Sequence, residues 1–234
     1  MPIVVLDYGS GNIRSAERGI ARTGAKVEVS NDIAKAREAD ALVIPGVGAF
    51  AACVKALRDQ GFADVIIERA QTGAPMLGIC VGMQIMFETG TETLKRDGPP
   101  ADHKGLGIWQ GTVEAIKAPV VPHMGWNTVN APSDSRMFAG LGDQRFYFVH
   151  SYAAKSWTGA GAAAVGAVAS GGAAAVGSVA SGGAGDAKAI ITTCDYGDGF
   201  IAAVEAGPIW GTQFHPEKSG EAGLKLLDNW VKQL

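Results

Sequence analysis

Three features of this 234-residue chain predict an α/β fold with an open mixed, mostly parallel sheet and helices on both faces. Short β-branched apolar runs alternate with amphipathic stretches through the N-terminal part, the pattern of repeated β-α units. Beyond Gly105 strand-like runs follow one another more closely, which adds a partly antiparallel section. Between the two regimes, an apolar run enters Gly78-Ile79-Cys80-Val81-Gly82 and leaves through a helix-like Met83 to Glu88, the strand-turn-helix layout of a nucleophile elbow.

Ile3 to Leu6 opens the series as a strand, and Ile13 to Thr23 has the spacing of an amphipathic helix. Lys26 to Ser30, Asp40 to Pro45 and Pro75 to Ile79 are the next strands, with a helix at Phe62 to Thr72 before the last of them. In the second half the strands are Thr112 to Ile116, Arg145 to Val149, Ala189 to Cys194, Phe200 to Glu205 and Ile209 to Phe214, and a helix from Glu221 to Val231 closes the fold.

The length suits one substantial domain, residues 1–234. Within it, residues 157–187 form an Ala/Gly-rich insertion around a tandem repeat, GAAAVGAVASG then GAAAVGSVASG from Gly161 to Gly182, whose copies differ only at Ala167 and Ser178. Two copies are too few for a solenoid, and a segment with almost no bulky side chain offsets its ordering entropy poorly, so it is expected to be a flexible surface insertion. A lid or partner contact is the alternative use. Its only aliphatics beyond Ala are four valines and it carries nine glycines between Trp157 and Gly185, which makes it a poor membrane span.

Twenty Lys and Arg against 23 Asp and Glu, with no basic cluster, give nucleic-acid binding little support. Cys53, Cys80 and Cys194 lie far apart, without CxxC or metal-type spacing, and the N-terminus lacks a signal arrangement. A reducing cytoplasm fits these features, and neither a metal nor a cofactor is called for.

Chance would place glycines on both sides of roughly one cysteine in fifty in a chain with 33 glycines, so the elbow string is only moderately specific alone. Most free cysteines are small buried hydrophobes, a reading kept for Cys53 and Cys194 and open for Cys80 until partners are found. The partners are in Gln213-Phe214-His215-Pro216-Glu217. Pro216 biases His215 towards extended backbone, where residues two apart point the same way, so Glu217 is expected beside the imidazole. A carboxylate there fixes the tautomer and leaves the other ring nitrogen to exchange a proton with the thiol, although a lone H-P-E also suits a strand-ending turn with a solvated Glu. Pro45-Gly46-Val47-Gly48 is a glycine-rich turn whose N–H groups at Val47 and Gly48, with that of Val81, would form an oxyanion site; a phosphate loop is the weaker alternative, since no Walker Lys follows.

Taken together these residues resemble the class I (triad) glutamine amidotransferases over almost the whole chain outside the repeat. More narrowly, Asp7-Tyr8-Gly9-Ser10-Gly11-Asn12, Pro45 to Phe50, Pro122-His123-Met124-Gly125-Trp126-Asn127, His150-Ser151-Tyr152 and Gln213 to Ser219 are similar to the glutaminase subunits of imidazole glycerol phosphate synthases of histidine biosynthesis. The resemblance implies that Cys80 attacks the glutamine carbonyl to form a thioester, that His215 moves protons and that Glu217 orients it. It implies that Gln84, Glu92, Ser151 and Tyr152 hold the glutamine. It also implies a heterodimer with a (β/α)8-barrel cyclase on a separate polypeptide, because a barrel takes about 250 residues by itself. Asn12, Arg18, His123, Met124, Trp126 and Lys218 would lie towards that partner and the ammonia passage, with Trp126 alternatively a core aromatic. Another class I subunit, such as one serving pyridoxal phosphate synthesis, is the enzyme alternative, and a binding module on the same fold is the non-enzymatic one.

Overall fold

The structure, a computed structural model, describes residues 2–92, 103–157 and 189–234. The Gly161–Gly182 repeat and nearly all of the insertion predicted around it lie outside the described residues.

The strands are β1 (Ile3–Leu6), β2 (Val27–Ser30), β3 (Ala41–Gly46), β4 (Met76–Cys80), β5 (Phe87–Gly90), β6 (His103–Lys104), β7 (Trp109–Ala115), β8 (His123–Asn127), β9 (Phe146–His150), β10 (Tyr152–Ala154), β11 (Ile190–Cys194), β12 (Phe200–Ala206) and β13 (Ile209–Thr212). The helices are α1 (Ile13–Ala21), α2 (Ile33–Glu38), α3 (Phe50–Asp59), α4 (Phe62–Thr72), α5 (Val81–Gln84) and α6 (Gly220–Val231).

Among the described residues the main sheet has seven strands in the order β11-β12-β13-β4-β3-β1-β2. The pairings from β2 through β1, β3 and β4 to β13 are parallel, and β13-β12-β11 turns antiparallel, as the change of texture past Gly105 predicts. β1, β3 and β4 are buried along their whole length, which is why they read as unbroken apolar runs rather than alternating ones. Helices cover both faces: Ile20 of α1, Phe50, Val54 and Leu57 of α3, Ile66 of α4 and Leu226, Leu227 and Trp230 of α6 all enter the core. A four-stranded sheet, β10-β7-β5-β6, and a two-stranded ribbon, β8-β9, flank it.

Local chemistry sets the helix ends. Asp32 caps α2 by accepting from the N–H groups of Ala34 at 2.8 Å and Lys35 at 3.4 Å. Gly61 and Gly73, both left-handed at φ 75° and 70°, bracket α4. Residue 49, before α3, is an alanine that cannot cap; the Glu92 carboxylate reaches in and accepts from Phe50 N–H at 2.7 Å.

Past Cys80 the chain departs from the helix that the sequence predicts. The helix-like Met83 to Glu88 is a four-residue helix, Val81–Gln84, followed by strand β5 from Phe87. Its apolar residues are buried all round, so periodicity does not separate a buried helix from a buried strand, and pairing of β5 with β7 decides. A helix this short contributes little dipole at Cys80.

Candidate active site

Everything at the site is arranged around the end of β4. Cys80 has φ 56° and ψ −115°, and it is the one non-glycine residue with positive φ among the described residues. Such a conformation costs about 1–3 kcal/mol and persists because its surroundings force it. Three glycines allow that. A Cβ on Gly82 would lie 1.8 Å from the Ile44 carbonyl oxygen, one on Gly46 would lie 2.4 Å from Gly82 N, and one on Gly78 would lie 2.7 Å from Gly82 O. The end of β3 therefore packs backbone to backbone against the elbow.

His215 and Glu217 approach from the far side of β4. β13 ends at Thr212, two residues before the predicted boundary, and the chain then enters a 3-10 turn at Pro216–Lys218. His215 itself is extended at φ −101° and ψ 95°, as Pro216 predicts, but the chain curls from Pro216 onward, so Glu217 reaches the imidazole across that bend: His215 Nδ1 and Glu217 Oε1 are 2.8 Å apart with both side chains buried. The turn is tied down closely. Ser219 Oγ donates to the His215 carbonyl at 2.6 Å and accepts from Tyr147 N–H at 2.9 Å, and His215 N–H donates to the Tyr147 carbonyl at 2.9 Å. α1 packs behind it, where a Cβ on Gly19 would sit 3.1 Å from Glu217 Cβ.

The other imidazole nitrogen, Nε2, is buried without a hydrogen bond of ordinary geometry. Burial opposes charge on His215, but interaction with Cys80 and then with Glu217 outweighs it and raises the ring to about 9. A cationic ring beside a sulfur, steered by a carboxylate, is suited to nucleophilic acyl transfer.

A cavity of about 480 Å³ opens over the sulfur, and its walls include Val47, Gly48, Cys80, Val81, Gln84, Glu92, Ser151, Tyr152 and His215. The predicted nucleophile, base, oxyanion and glutamine-holding residues are thus brought together, with Glu217 behind His215. Gln84 is buried and donates through Nε2 to the Tyr152 carbonyl at 2.7 Å and to Gln213 Oε1 at 3.0 Å. Gln213 Nε2 lies 3.7 Å from Cys80 Sγ, a neighbour of the nucleophile to which the sequence reading gave no role.

The turn after β3 is held from outside. Tyr8 OH donates to the Pro45 carbonyl at 2.7 Å; Ser10 Oγ donates to the Val47 carbonyl at 2.7 Å and accepts from Val47 N–H at 3.3 Å. Cys53 Sγ adds a contact to the Val47 carbonyl at 3.4 Å. In this conformation Val47 N–H is engaged by Ser10 rather than aimed over Cys80.

The residues predicted to face a partner divide. Met124 and Trp126 are 66% and 52% exposed, which excludes the core reading of Trp126. Trp126 meets Tyr147 edge to face with centroids 6.0 Å apart, and Lys218 Nζ lies 6.0 Å from the Tyr147 ring centre, so the three form one surface. Arg18 is exposed and Asn12 half-buried at the start of α1. His123 is the correction: it is 3% exposed, on the opposite face of β8 from Met124, stacked against Tyr196 and Phe148. Alternation along the strand puts neighbouring side chains on opposite faces, and a motif read as a string does not show that. Cys53 and Cys194 are free and buried, as expected.

This fold, with a cysteine at its strained elbow, defines a class. The family model for class-I glutamine amidotransferases matches residues 4–181, a stretch that contains Cys80 and ends before His215 and Glu217, and the chain belongs to that family. Solved structures titled as a glutamine amidotransferase and as PurLQS from Thermotoga maritima share the fold at TM-score 0.63 and 17% identity, each covering 97% or more of both chains.

Within the class, the chain is similar to Imidazole glycerol phosphate synthase subunit HisH of Thermobifida fusca (strain YX), 49% identical over 233 residues, 99% of this chain and 98% of that one. The HisH subunit of Streptomyces coelicolor is 48% identical over 99% of this chain and 93% of its own length.

Proposed function

We infer that this chain is the glutaminase subunit of an imidazole glycerol phosphate synthase, hydrolysing glutamine to glutamate and ammonia for histidine biosynthesis. The observation that carries the chemistry is the left-handed Cys80 at the floor of a cavity whose wall is an imidazole hydrogen-bonded to a buried carboxylate. Similarity to the HisH subunits over 99% of the chain carries the pathway.

On this reading Cys80 Sγ attacks the side-chain carbonyl of glutamine, and negative charge gathers on its oxygen next to Val81 N–H and the Val47-Gly48 turn. His215, cationic below about 9, gives its Nε2 proton to the departing ammonia, then takes one from the water that opens the thioester. Glu217 holds the ring throughout by its bond to Nδ1. Gln84, Glu92, Ser151 and Tyr152 surround the amino-acid end of the substrate, with Glu92 as the counter-charge for its ammonium group.

The partner is a cyclase subunit with a (β/α)8 barrel on a separate chain, docking on Met124, Trp126 and Lys218 with Arg18 and Asn12 at the border. The outward-facing apolar side chains of β8 support that surface. Three free buried cysteines support a reducing cytoplasm.

The test is glutamate release by the purified chain, alone and with the cyclase loaded with its ribonucleotide substrate, beside Cys80→Ala. Strong stimulation abolished in the variant is expected. Release that depends on Cys80 but ignores the cyclase would remove the pathway and keep the chemistry, and no release in either condition would remove both.

A further inference from the structure

Beneath the exposed face of the β8-β9 ribbon lie two imidazoles that the proposed chemistry does not use. His123 and His150 are register partners across the ribbon, with His123 Nδ1 3.1 Å from His150 Nε2. The ends of the run decide where each proton sits. The Tyr152 carbonyl, 3.0 Å from His150 Nδ1, can only accept, so Nδ1 keeps the proton and Nε2 accepts from His123 Nδ1–H. His123 Nε2 is left to accept from Asn127 Nδ2–H at 3.4 Å. One tautomer of each ring satisfies every contact, and a further proton on either would set two donors face to face. Burial keeps both rings neutral, lowering His123 to about 4 and His150, with help from His123, to about 3.

The run does not stop at Tyr152. Gln84 donates to the same carbonyl and to Gln213, and Gln213 reaches the sulfur of Cys80. At its outer end is the strand whose opposite face exposes Met124 and Trp126. Packing leaves the rings little freedom: His123 is stacked at centroid distances of 3.8 Å on Tyr196 and 4.7 Å on Phe148, and His150 meets Phe200 edge to face at 4.7 Å.

We propose that His123 and His150 are positioning residues that carry a displacement of β8, imposed from its exposed face, to the glutamine cavity and Cys80. The proposal rests on the partner-dependent reading above. A shift of His123 changes the bond it donates to His150, and His150 is bonded to a carbonyl in the cavity wall that also anchors Gln84. With His123 held in a stack and His150 packed edge to face against Phe200, the rings have little room to absorb the shift by rotating, so it passes along the run.

The test measures kcat and KM for glutamine, free and with loaded cyclase, in wild type, His123→Phe and His123→Asn. Phe keeps a ring in the stack and removes both hydrogen bonds, while Asn keeps an N–H for His150. We expect His123→Phe to lose about tenfold or more of the stimulation ratio and His123→Asn to retain most of it. A merely structural role would lower free and stimulated rates together; an unchanged ratio in His123→Phe overturns the relay. A wild-type chain indifferent to the cyclase would instead sink the proposed function, and the relay with it. Should His123→Phe fail to fold, 15N spectra of the wild-type histidines decide. Protonated Nδ1 on both rings and a His150 resonance that moves on cyclase binding are expected; the opposite tautomer or an unmoved resonance overturns the proposal.

Discussion

Acidification should weaken this protein through His150 before it touches the triad. The ring is held neutral by burial and by His123, with its pKa down at about 3, whereas in the unfolded chain it titrates near 6.5. A lowered folded value means the unfolded state binds the extra proton first. The stability contribution is therefore complete above about 6.5 and is lost as the pH falls towards 3. Between pH 7 and pH 5 the unfolded imidazole goes from mostly neutral to almost fully charged while the folded one stays neutral, which is worth about 2 kcal/mol at 1.36 kcal/mol per unit. His150→Asn tests this, since Asn does not titrate and its Nδ2–H can still serve the Tyr152 carbonyl. In urea unfolding at pH 7, 6 and 5, the variant should start less stable, yet lose about 2 kcal/mol less than wild type over the interval. Parallel stability curves for the two chains would refute the reasoning, as would a His150 NMR titration centred above pH 6.

His215 should show the opposite slope. Raised to about 9, it contributes stability that is full below about 6.5 and fades as the pH climbs through 9, and Cys80→Ala should lower its NMR midpoint by removing the leading interaction that raises it. Gly82→Ala should abolish glutamate release and cost more than about 2 kcal/mol in urea unfolding, because its Cβ would meet the Ile44 carbonyl oxygen at 1.8 Å. Ser10→Ala removes the hydroxyl that holds both the N–H and the carbonyl of Val47, so unstimulated release should rise several-fold; a fall would count against Val47 N–H as an oxyanion donor. Deleting residues 161–182 should leave the cyclase-stimulated rate within about twofold, and a larger loss in a folded protein would give the repeat an active part.

The elbow was legible because its logic is local: Gly78, Cys80 and Gly82 stand within five residues, and each glycine is required by a backbone contact. β1, β3 and β4 were legible for a related reason, since burial on both faces leaves an unbroken apolar run. α3 is also encoded locally, since Phe50, Cys53, Val54 and Leu57 have helical spacing and are buried together, although the glycine turn before it is the stronger signal in that stretch. β8 was harder. Its large apolar side chains, Met124 and Trp126, point outward and its histidine inward, the reverse of the polarity that marks a strand on a core. The clamp of Ser10 on Val47 joins residues 37 apart in sequence, and no periodicity carries such a contact. Nothing local in the sequence singles out His150, because what distinguishes it is the ring facing it across the ribbon.

The 3-10 turn at Pro216–Lys218 puts adjacent residues to opposite uses, Glu217 inward against His215 and Lys218 outward against Tyr147. Ser219, at the end of that turn, ties its start through the His215 carbonyl and ties it to β9 through Tyr147 N–H, which leaves the turn little slack. For the docking at Lys218 proposed above, thermodynamic reciprocity would work in both directions: if the cyclase changes the site at His215, whatever alters the charge or occupant there changes the affinity of the cyclase by the same factor. On that proposal, the tightness of the complex would be a gauge of the chemical state of the buried imidazole, readable from outside without following turnover.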